Sequence, residues 1–394
     1  MDFEMKRILY LTFYFEPDLC AGSFRNTTLA NSLAEELEEN SCIDLITTFP
    51  NRYQTYKQDA PAFEDRGNLK IHRINVHEHK SGFLDQINSF WSFFKTARKL
   101  TKHKKYDVIF ASSSRLFTAY LGYTIARKNK TPLYLDIRDI FVDTMENVLK
   151  NPIVKLGVIP FIKIIEKKTF NYASHINLIS EGFSSYFQKF KCNSYSYYSN
   201  GIDDEFLNHP LWEKKKENPQ RLIIYAGNIG EGQGLDKIVP LSAQLLGNNY
   251  KFLIIGDGGA KQKLKEEVLK LNIYNVELKD PVNREELKQI YTNADFLFLH
   301  LNNYEAFEKV LPSKIFELAT YDKPIIAGVS GYAFQFIKNN IPNVILFKPC
   351  DVADFFSQMK DYHYKTMVRS EFINHYKRSR INKDMVQSIM KLMK

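Results

Sequence analysis

The chain has 394 residues, of which 44% are hydrophobic and 25% charged, and 54 Lys and Arg against 45 Asp and Glu leave a formal charge of +9. That length predicts two domains rather than one core, and the composition excludes wholesale disorder. Cys20, Cys42, Cys192 and Cys350 lie far apart with no CxxC or Cys/His cluster, which argues against a zinc site and a disulfide scaffold.

The start, "MDFEMKRILYLTFYFEPD", has a short apolar run that soon meets Asp and Pro, so it reads as a first strand rather than a signal peptide. The strand candidates that follow are "CIDLITTF", "LKIHRINV", "DVIFASS", "LYLDIRD" and "HINLIS", with helices at Thr27 to Glu39 and Asp85 to Lys102 between them. This alternation predicts a parallel sheet covered by helices. After the polar, Lys-rich "YYSNGIDDEFLNHPLWEKKKENPQ" the pattern restarts with "RLIIYAG", "KFLIIGDG", "NVELKD", "DFLFLHL", "PIIAGV" and "VILFK". The expected organisation is an α/β domain over residues 1–205, a second over 206–375, and a helix over 376–394 that crosses back to the first. Two such sheets facing each other would make a ligand cleft beyond the carboxyl ends of their strands.

Three stretches carry chemistry. "YAGNIGEGQGLDKIV" puts Gly227, Gly230, Gly232 and Gly234 at a strand-to-helix corner, where backbone amides can approach an anion, but without G-x-G-x-x-G spacing. "IIGDGGAKQKL" is a second glycine corner. In "VLPSKIFELATYDKPIIAG", Ser313 and Lys314 place a hydroxyl, amides and a cation at a helix start, and Glu317 one turn on can accept from a diol. Each alone has an ordinary structural reading as a turn or a first helical turn.

In order along nearly the whole chain, these stretches with "FEPDLCAGSFRNTTLANSLAEEL", "TTFPNRY", "FASSSRLFTAYLG", "LDIRDIFVD" and "YYSNGID" resemble glycosyltransferase family 4, of the two-domain GT-B architecture. The nearer likeness is to the bacterial surface-polysaccharide branch (capsule, O-antigen) that includes N-acetylated amino-sugar transferases. The resemblance implies two Rossmann-like domains, an N-terminal one for the acceptor and a C-terminal one for a nucleotide sugar. It implies retention of configuration with the donor phosphate assisting the incoming hydroxyl, no catalytic metal and no cofactor beyond the UDP-sugar co-substrate. By position it implies that Gly22, Arg25, Gly227, Asn228 and Gly230 line the donor phosphates, Val282 packs the base, Ser313 and Lys314 sit over the diphosphate, and Glu317 binds the ribose. Asp139 and Arg138 of "DIRD" are the candidate catalytic pair with Lys314, Asp139 either orienting the acceptor or forming an ion pair with Arg138.

The chain departs from the family pattern in three places. Lys309 stands eight positions before Glu317 where relatives carry a glutamate, with Glu308 one off; "GNIGEGQG" lacks the usual Arg and Lys; and Ser112 to Ser114 replace a frequent His. Lys314 is the residue expected to supply the missing charge. Asp203 and Asp204, after Asn200-Gly201, read as turn and cap residues rather than metal ligands.

Phe83, Leu84, Ile87, Phe90, Trp91 and Phe94 fall on one helical face, with Lys95, Arg98, Lys99, Lys102, Lys104 and Lys105 following, a pattern that suits either an anionic membrane surface or packing on the sheet. "NPIVKLGVIPFIKIIEKK" is a second mixed apolar and basic segment, suited to flank an acceptor lipid. No stretch reaches the roughly 18 apolar residues of a spanning helix. The expectation is a cytoplasmic protein, peripheral on the inner membrane face, taking a nucleotide sugar and a lipid-linked saccharide acceptor and no nucleic acid. Two other classes stay open at this stage: a UDP-N-acetylglucosamine 2-epimerase-like enzyme, which needs acid/base carboxylates and histidines in a cleft, and a non-enzymatic polyanion- or membrane-binding protein.

Overall fold

Runs of β-branched and aromatic residues bounded by Gly, Asn, Asp and Pro become parallel strands, because helices cover both faces and leave room for near-continuous apolar sequence. In the computed structural model the described residues are 6–18, 20–38, 40–51, 59–76, 83–113, 116–149, 151–207 and 220–393. They divide into two units, residues 1–200 with 379–394, and residues 201–378.

The first unit runs β1 (Arg7–Leu11), α1 (Ala21–Glu36), β2 (Cys42–Thr48), β3 (Phe63–Arg66), β4 (Leu69–Ile74), α2 (Phe83–Thr101), β5 (Val108–Ser113), α3 (Leu116–Asn129), β6 (Leu133–Ile137), α4 (Phe141–Val148), α5 (Pro152–Tyr172), β7 (His175–Leu178), α6 (Ser184–Phe187) and β8 (Tyr195–Ser196). Its eight strands are ordered β3-β4-β2-β1-β5-β6-β7-β8. All pairs are parallel except β3 with β4, an exposed edge hairpin. Leu29, Ala30 and Leu33 of α1 join Ile8, Tyr10, Leu45 and Phe110 in one core.

The second unit runs β9 (Arg221–Ala226), α7 (Leu235–Leu246), β10 (Tyr250–Ile255), α8 (Lys261–Lys270), β11 (Val276–Lys279), α9 (Arg284–Asn293), β12 (Phe296–His300), α10 (Lys314–Leu318), β13 (Ile325–Gly328), α11 (Gly331–Asn340), β14 (Val344–Phe347), α12 (Val352–Lys360) and α13 (Ser370–Tyr376). Its six parallel strands are ordered β11-β10-β9-β12-β13-β14. The last helix, α14 (Arg378–Met390), puts Met385, Val386 and Ile389 into the core of the first unit.

The first passage between units falls at Asn200–Gly201, a few residues before the Lys-rich joint read from composition. Ile202 already belongs to the second unit because its N–H donates to Tyr376 O at 2.7 Å and its carbonyl accepts from Arg378 N at 2.9 Å.

Candidate functional site

In open α/β sheets ligands gather at the carboxyl ends of the central strands, so each unit is built up from that edge.

In the second unit the edge is made by two glycine corners sewn together. Gly227 N donates to Ile255 O (2.9 Å), Ile229 N to Asp257 O (2.8 Å) and Ala260 N to Ile229 O (2.9 Å). The approach is so close that a Cβ on Gly256, at φ +146°, would lie 1.8 Å from Gly227 O, and one on Gly258 would lie 2.5 Å from Ile229 O. These glycines are therefore required first by the protein's own packing. Asn228 is held as well: its Nδ2 donates to Gln233 Oε1 (2.8 Å), while Tyr225 OH donates to Asn228 O (2.6 Å). Gly230 N shares the same Gln233 oxygen at 3.2 Å. At the start of α7 the positive helix end is already met by Asp236, which pairs with Lys263 at 2.7 Å.

Two residues not singled out from the sequence fix this turn from beneath. His300, at the end of β12, donates from Nδ1 to Gln233 O (2.6 Å) and accepts from Cys350 N at Nε2 (2.9 Å). That pair of bonds sets its tautomer, and burial lowers its pKa to about 4, so the ring is neutral. Asn302 donates from Nδ2 to Glu231 O (2.7 Å) and from its backbone to Gly232 O (2.8 Å).

Over the turn stands Lys314. A Cβ built on Gly227 would be 3.8 Å from Lys314 Cε, and Lys314 Nζ lies 3.2 Å from both carboxylate oxygens of Glu317. The i,i+3 spacing on α10 brings cation and carboxylate onto one face. Ser313 is the residue before this helix and makes no side-chain cap. Glu317 is flanked by the buried Tyr291 and Tyr321, whose phenols are held above the usual range by burial and then by the Glu317 charge.

A further cation, Arg284, opens α9 two residues after Val282 and feels the Glu317 charge. It pairs with Glu205 and lies 3.8 Å from Asp203. Asp203, read as a turn residue, in fact makes no side-chain cap and pairs with Arg378 and Arg284. Val282 is half-buried between β11 and α9 and packs on the core. A hollow of about 500 Å³ is lined by Asp257, Gly258, Lys261, Leu278 and Asp280, and in it Lys261 Nζ bridges Gly256 O (2.9 Å) and Asp280 (2.6 Å).

In the first unit the corresponding edge holds Gly22, Arg138 and Asp139. Gly22 is the second residue of α1, and a Cβ there would meet Arg138 Nη1 at 2.3 Å, so its small size makes room for that guanidinium. Among the described residues the buried Arg138 Nε meets no hydrogen-bond partner. Burial holds its guanidinium below the usual arginine range, against the Asp136 charge. The Arg138–Asp139 ion pair does not form: Asp139 accepts instead from Thr144 Oγ1 at 3.1 Å, and burial pushes its carboxyl up. Successive residues leaving a strand point to opposite sides, which separates them.

Arg25 lies on the same helix as Gly22. It faces inward from α1, only 1% exposed, with Nε and Nη2 on the two oxygens of Asp136 (3.0 and 2.9 Å), Nη1 on Ser199 O (2.6 Å) and Nη2 also on Tyr198 O (2.9 Å). Asp136 is completed by Ser112 Oγ (3.0 Å) and Asn177 Nδ2 (2.7 Å). The hydrogen bonds of the Arg25 guanidinium thus run to groups inside the unit.

Among the described residues no group of three or more His, Cys, Asp or Glu is placed to hold a metal ion.

Comparison with known proteins bears on both units. Residues 211–376 match the family model of glycosyl transferases group 1. A curated relative, the putative colanic acid biosynthesis glycosyl transferase WcaI of Escherichia coli (strain K12), is 29% identical over 96 residues, 24% of this chain and about a quarter (23%) of that protein's length. Among solved structures, sucrose-phosphate synthase from Thermosynechococcus elongatus superposes with a TM-score of 0.74 at 13% identity over 98% of this chain and 99% of that one. Anabaena HepE in complex with UDP gives 0.65 at 14% over 98% and 100%, and WaaG, a glycosyltransferase involved in lipopolysaccharide biosynthesis, gives 0.66 at 12% over 97% and 99%. The fold is GT-B, two parallel Rossmann-like sheets, and the match to the group 1 glycosyl transferase model falls in the second unit.

Proposed function

We propose that the protein is a retaining glycosyltransferase that moves a sugar, an N-acetylated amino sugar by resemblance, from a UDP-sugar to a polyprenyl-diphosphate-linked saccharide in surface polysaccharide synthesis. The observation that carries this reading is the Lys314–Glu317 pair poised over the Gly227 turn inside the group 1 domain.

On this reading the donor diphosphate lies on the Gly227–Gly230 turn under Lys314, in place of the Arg and Lys that relatives carry there. Ser313 adds a hydroxyl, and Glu317 accepts from the ribose diol. Departure of the nucleoside diphosphate is helped by the Lys314 cation already standing over the turn, so little reorganisation is needed as negative charge develops. The donor phosphate oxygen takes the proton of the acceptor hydroxyl as it attacks from the same face, and no side-chain nucleophile takes part. In the first unit Arg138, whose Nε meets no partner among the described residues, serves an anionic group, and Asp139 orients the acceptor hydroxyl. The acceptor's lipid brings the protein to an anionic inner-membrane surface.

Calorimetric titration with UDP and GDP, without added metal, tests the reading. Wild type is expected to bind UDP with micromolar Kd and GDP more weakly, and Glu317→Ala to lose UDP binding by tenfold or more, about 1.4 kcal/mol for the ribose contact. Equal binding by wild type and Glu317→Ala removes the ribose assignment, and binding of neither nucleotide removes the donor class.

A further inference from the structure

Among the described apolar residues of α2, Phe90 and Phe93 are buried against Phe13, with Phe90 also on Phe117, and Phe94 is buried against Tyr120, while Trp91 is exposed. The side chains of Phe83, Leu84 and Ile87 lie outside the described residues. The exposed apolar surface is on α5 instead.

An amphipathic helix on a sheet turns polar residues outward. α5 does not. Its inner arc is filled by Ile159, Ile162, Ile165 and Phe170, all buried, and the helix packs on α3 and α4. Its outer arc carries Leu156 at 79% exposure, Phe161 at 61%, Ile164 at 53% and Val154 at 43%, with Gly157 and Pro160 exposed between them. The same arc ends in Lys163, Lys167 and Lys168, all exposed, and itself carries no carboxylate: the single acid of the helix, Glu166, is buried against Tyr186 at 2.6 Å, and Lys163 pairs with Glu146 of α4 at 3.0 Å. Apolar side chains thus occupy the first turns of the outer arc and cations the last.

We propose that this outer face of α5 docks the protein on an anionic phospholipid bilayer, with Leu156, Phe161 and Ile164 in the acyl boundary and Lys163, Lys167 and Lys168 among the headgroups. The charge pattern selects this occupant. A second copy placing α5 on α5 would bring Lys167 and Lys168 against the same cations, while the carboxylate beside the arc, Glu146, is already held by Lys163, since isologous contact repeats one surface. A bilayer with anionic headgroups accepts both halves of the arc. The helix lies in the interface rather than crossing it: its inner arc is already committed to the first unit, and among the described residues no helix is long and apolar enough to span. The purpose of docking rests on the proposed lipid-linked acceptor; the surface itself stands on exposure and charge.

The test uses full-length protein co-sedimented with phosphatidylcholine vesicles, with and without about one third phosphatidylglycerol, at two salt concentrations. Wild type is expected on the anionic vesicles, and Leu156→Ser/Phe161→Ser/Ile164→Ser to bind them at least about tenfold more weakly. Lys163→Gln/Lys167→Gln/Lys168→Gln is expected to lose roughly fivefold per lysine and most of the salt dependence. UDP calorimetry on the same preparations should be unchanged, which separates loss of docking from failure of the donor assignment. Three results overturn the proposal: no binding of wild type to anionic vesicles, vesicle binding by the serine variant equal to wild type, or a wild-type dimer by light scattering that the serine variant turns into a monomer.

Discussion

Replacing Arg25 by Met is expected to destabilise the first unit without touching the donor site of the second. The guanidinium is buried with Asp136, which is itself fully buried, and supplies two of the four side-chain hydrogen bonds that the carboxylate receives. Removing one partner of such a pair leaves an uncompensated interior charge, a loss of about 3–5 kcal/mol. Two carbonyls, Ser199 O and Tyr198 O, lose a donor as well. With a urea m-value of about 3 kcal/mol/M for a unit of this size, the midpoint should fall by roughly 1–1.7 M. In a Trp212→Phe background, Trp91 fluorescence reports the first unit. Adding Asp136→Leu removes the stranded charge, so the double variant should be less destabilised than the two single losses summed. Transfer activity should then fall only with the folded fraction. A midpoint within about 0.2 M of wild type, together with loss of activity, would show that Arg25 serves a ligand after all.

Two further predictions concern groups held in unusual states. His300→Leu leaves Gln233 O and Cys350 N without partners, which should cost the second unit about 2–5 kcal/mol and weaken UDP binding, whereas His300→Gln, able to donate and accept, should recover part of both; unchanged UDP affinity in the Leu variant would mean that the turn needs no support from below. Burial pushes Glu166 from its usual 4.5 up to about 7, so the folded state holds this proton more tightly than the unfolded chain. Its contribution is therefore present in full below about pH 4.5 and lost as pH rises towards 7, a change on the order of a few kcal/mol. Glu166→Gln should remove that fall between pH 5 and 7.5, and parallel urea-midpoint profiles for the two proteins would refute the shift.

The strand cores were legible because parallel strands buried on both faces leave short uninterrupted apolar runs between turn residues, and Lys314 with Glu317 was legible because an i,i+3 pair is a local pattern. Contacts across long sequence separations were not. Arg25 looks like a free cation near a helix start, and its partner Asp136 is 111 residues away. The glycines of the two corners read as room for a ligand, while the demand on Gly256 comes from the carbonyl of Gly227 on the neighbouring strand. His300 and Arg284 are single residues whose roles depend on which turn or carboxylate the fold puts beside them. A helical wheel ranks α2 as the amphipathic helix, yet it cannot say which arc the sheet covers, and the exposed apolar arc belongs to α5.

The second unit is one uninterrupted segment, residues 201–378, whose two ends are tied side by side at Ile202 and Arg378, while the first unit is completed only by residues 379–394. During synthesis at about 5–20 residues per second, the first sheet waits roughly 10–35 s for the helix that carries Met385, Val386 and Ile389, with that flank of its core open to water or to a chaperone. The second unit needs nothing made after it and can close as soon as its last residue emerges. Order of manufacture and order of completion are therefore reversed, and the same joined ends mark residues 201–378 as the part that can be cut out and expressed alone.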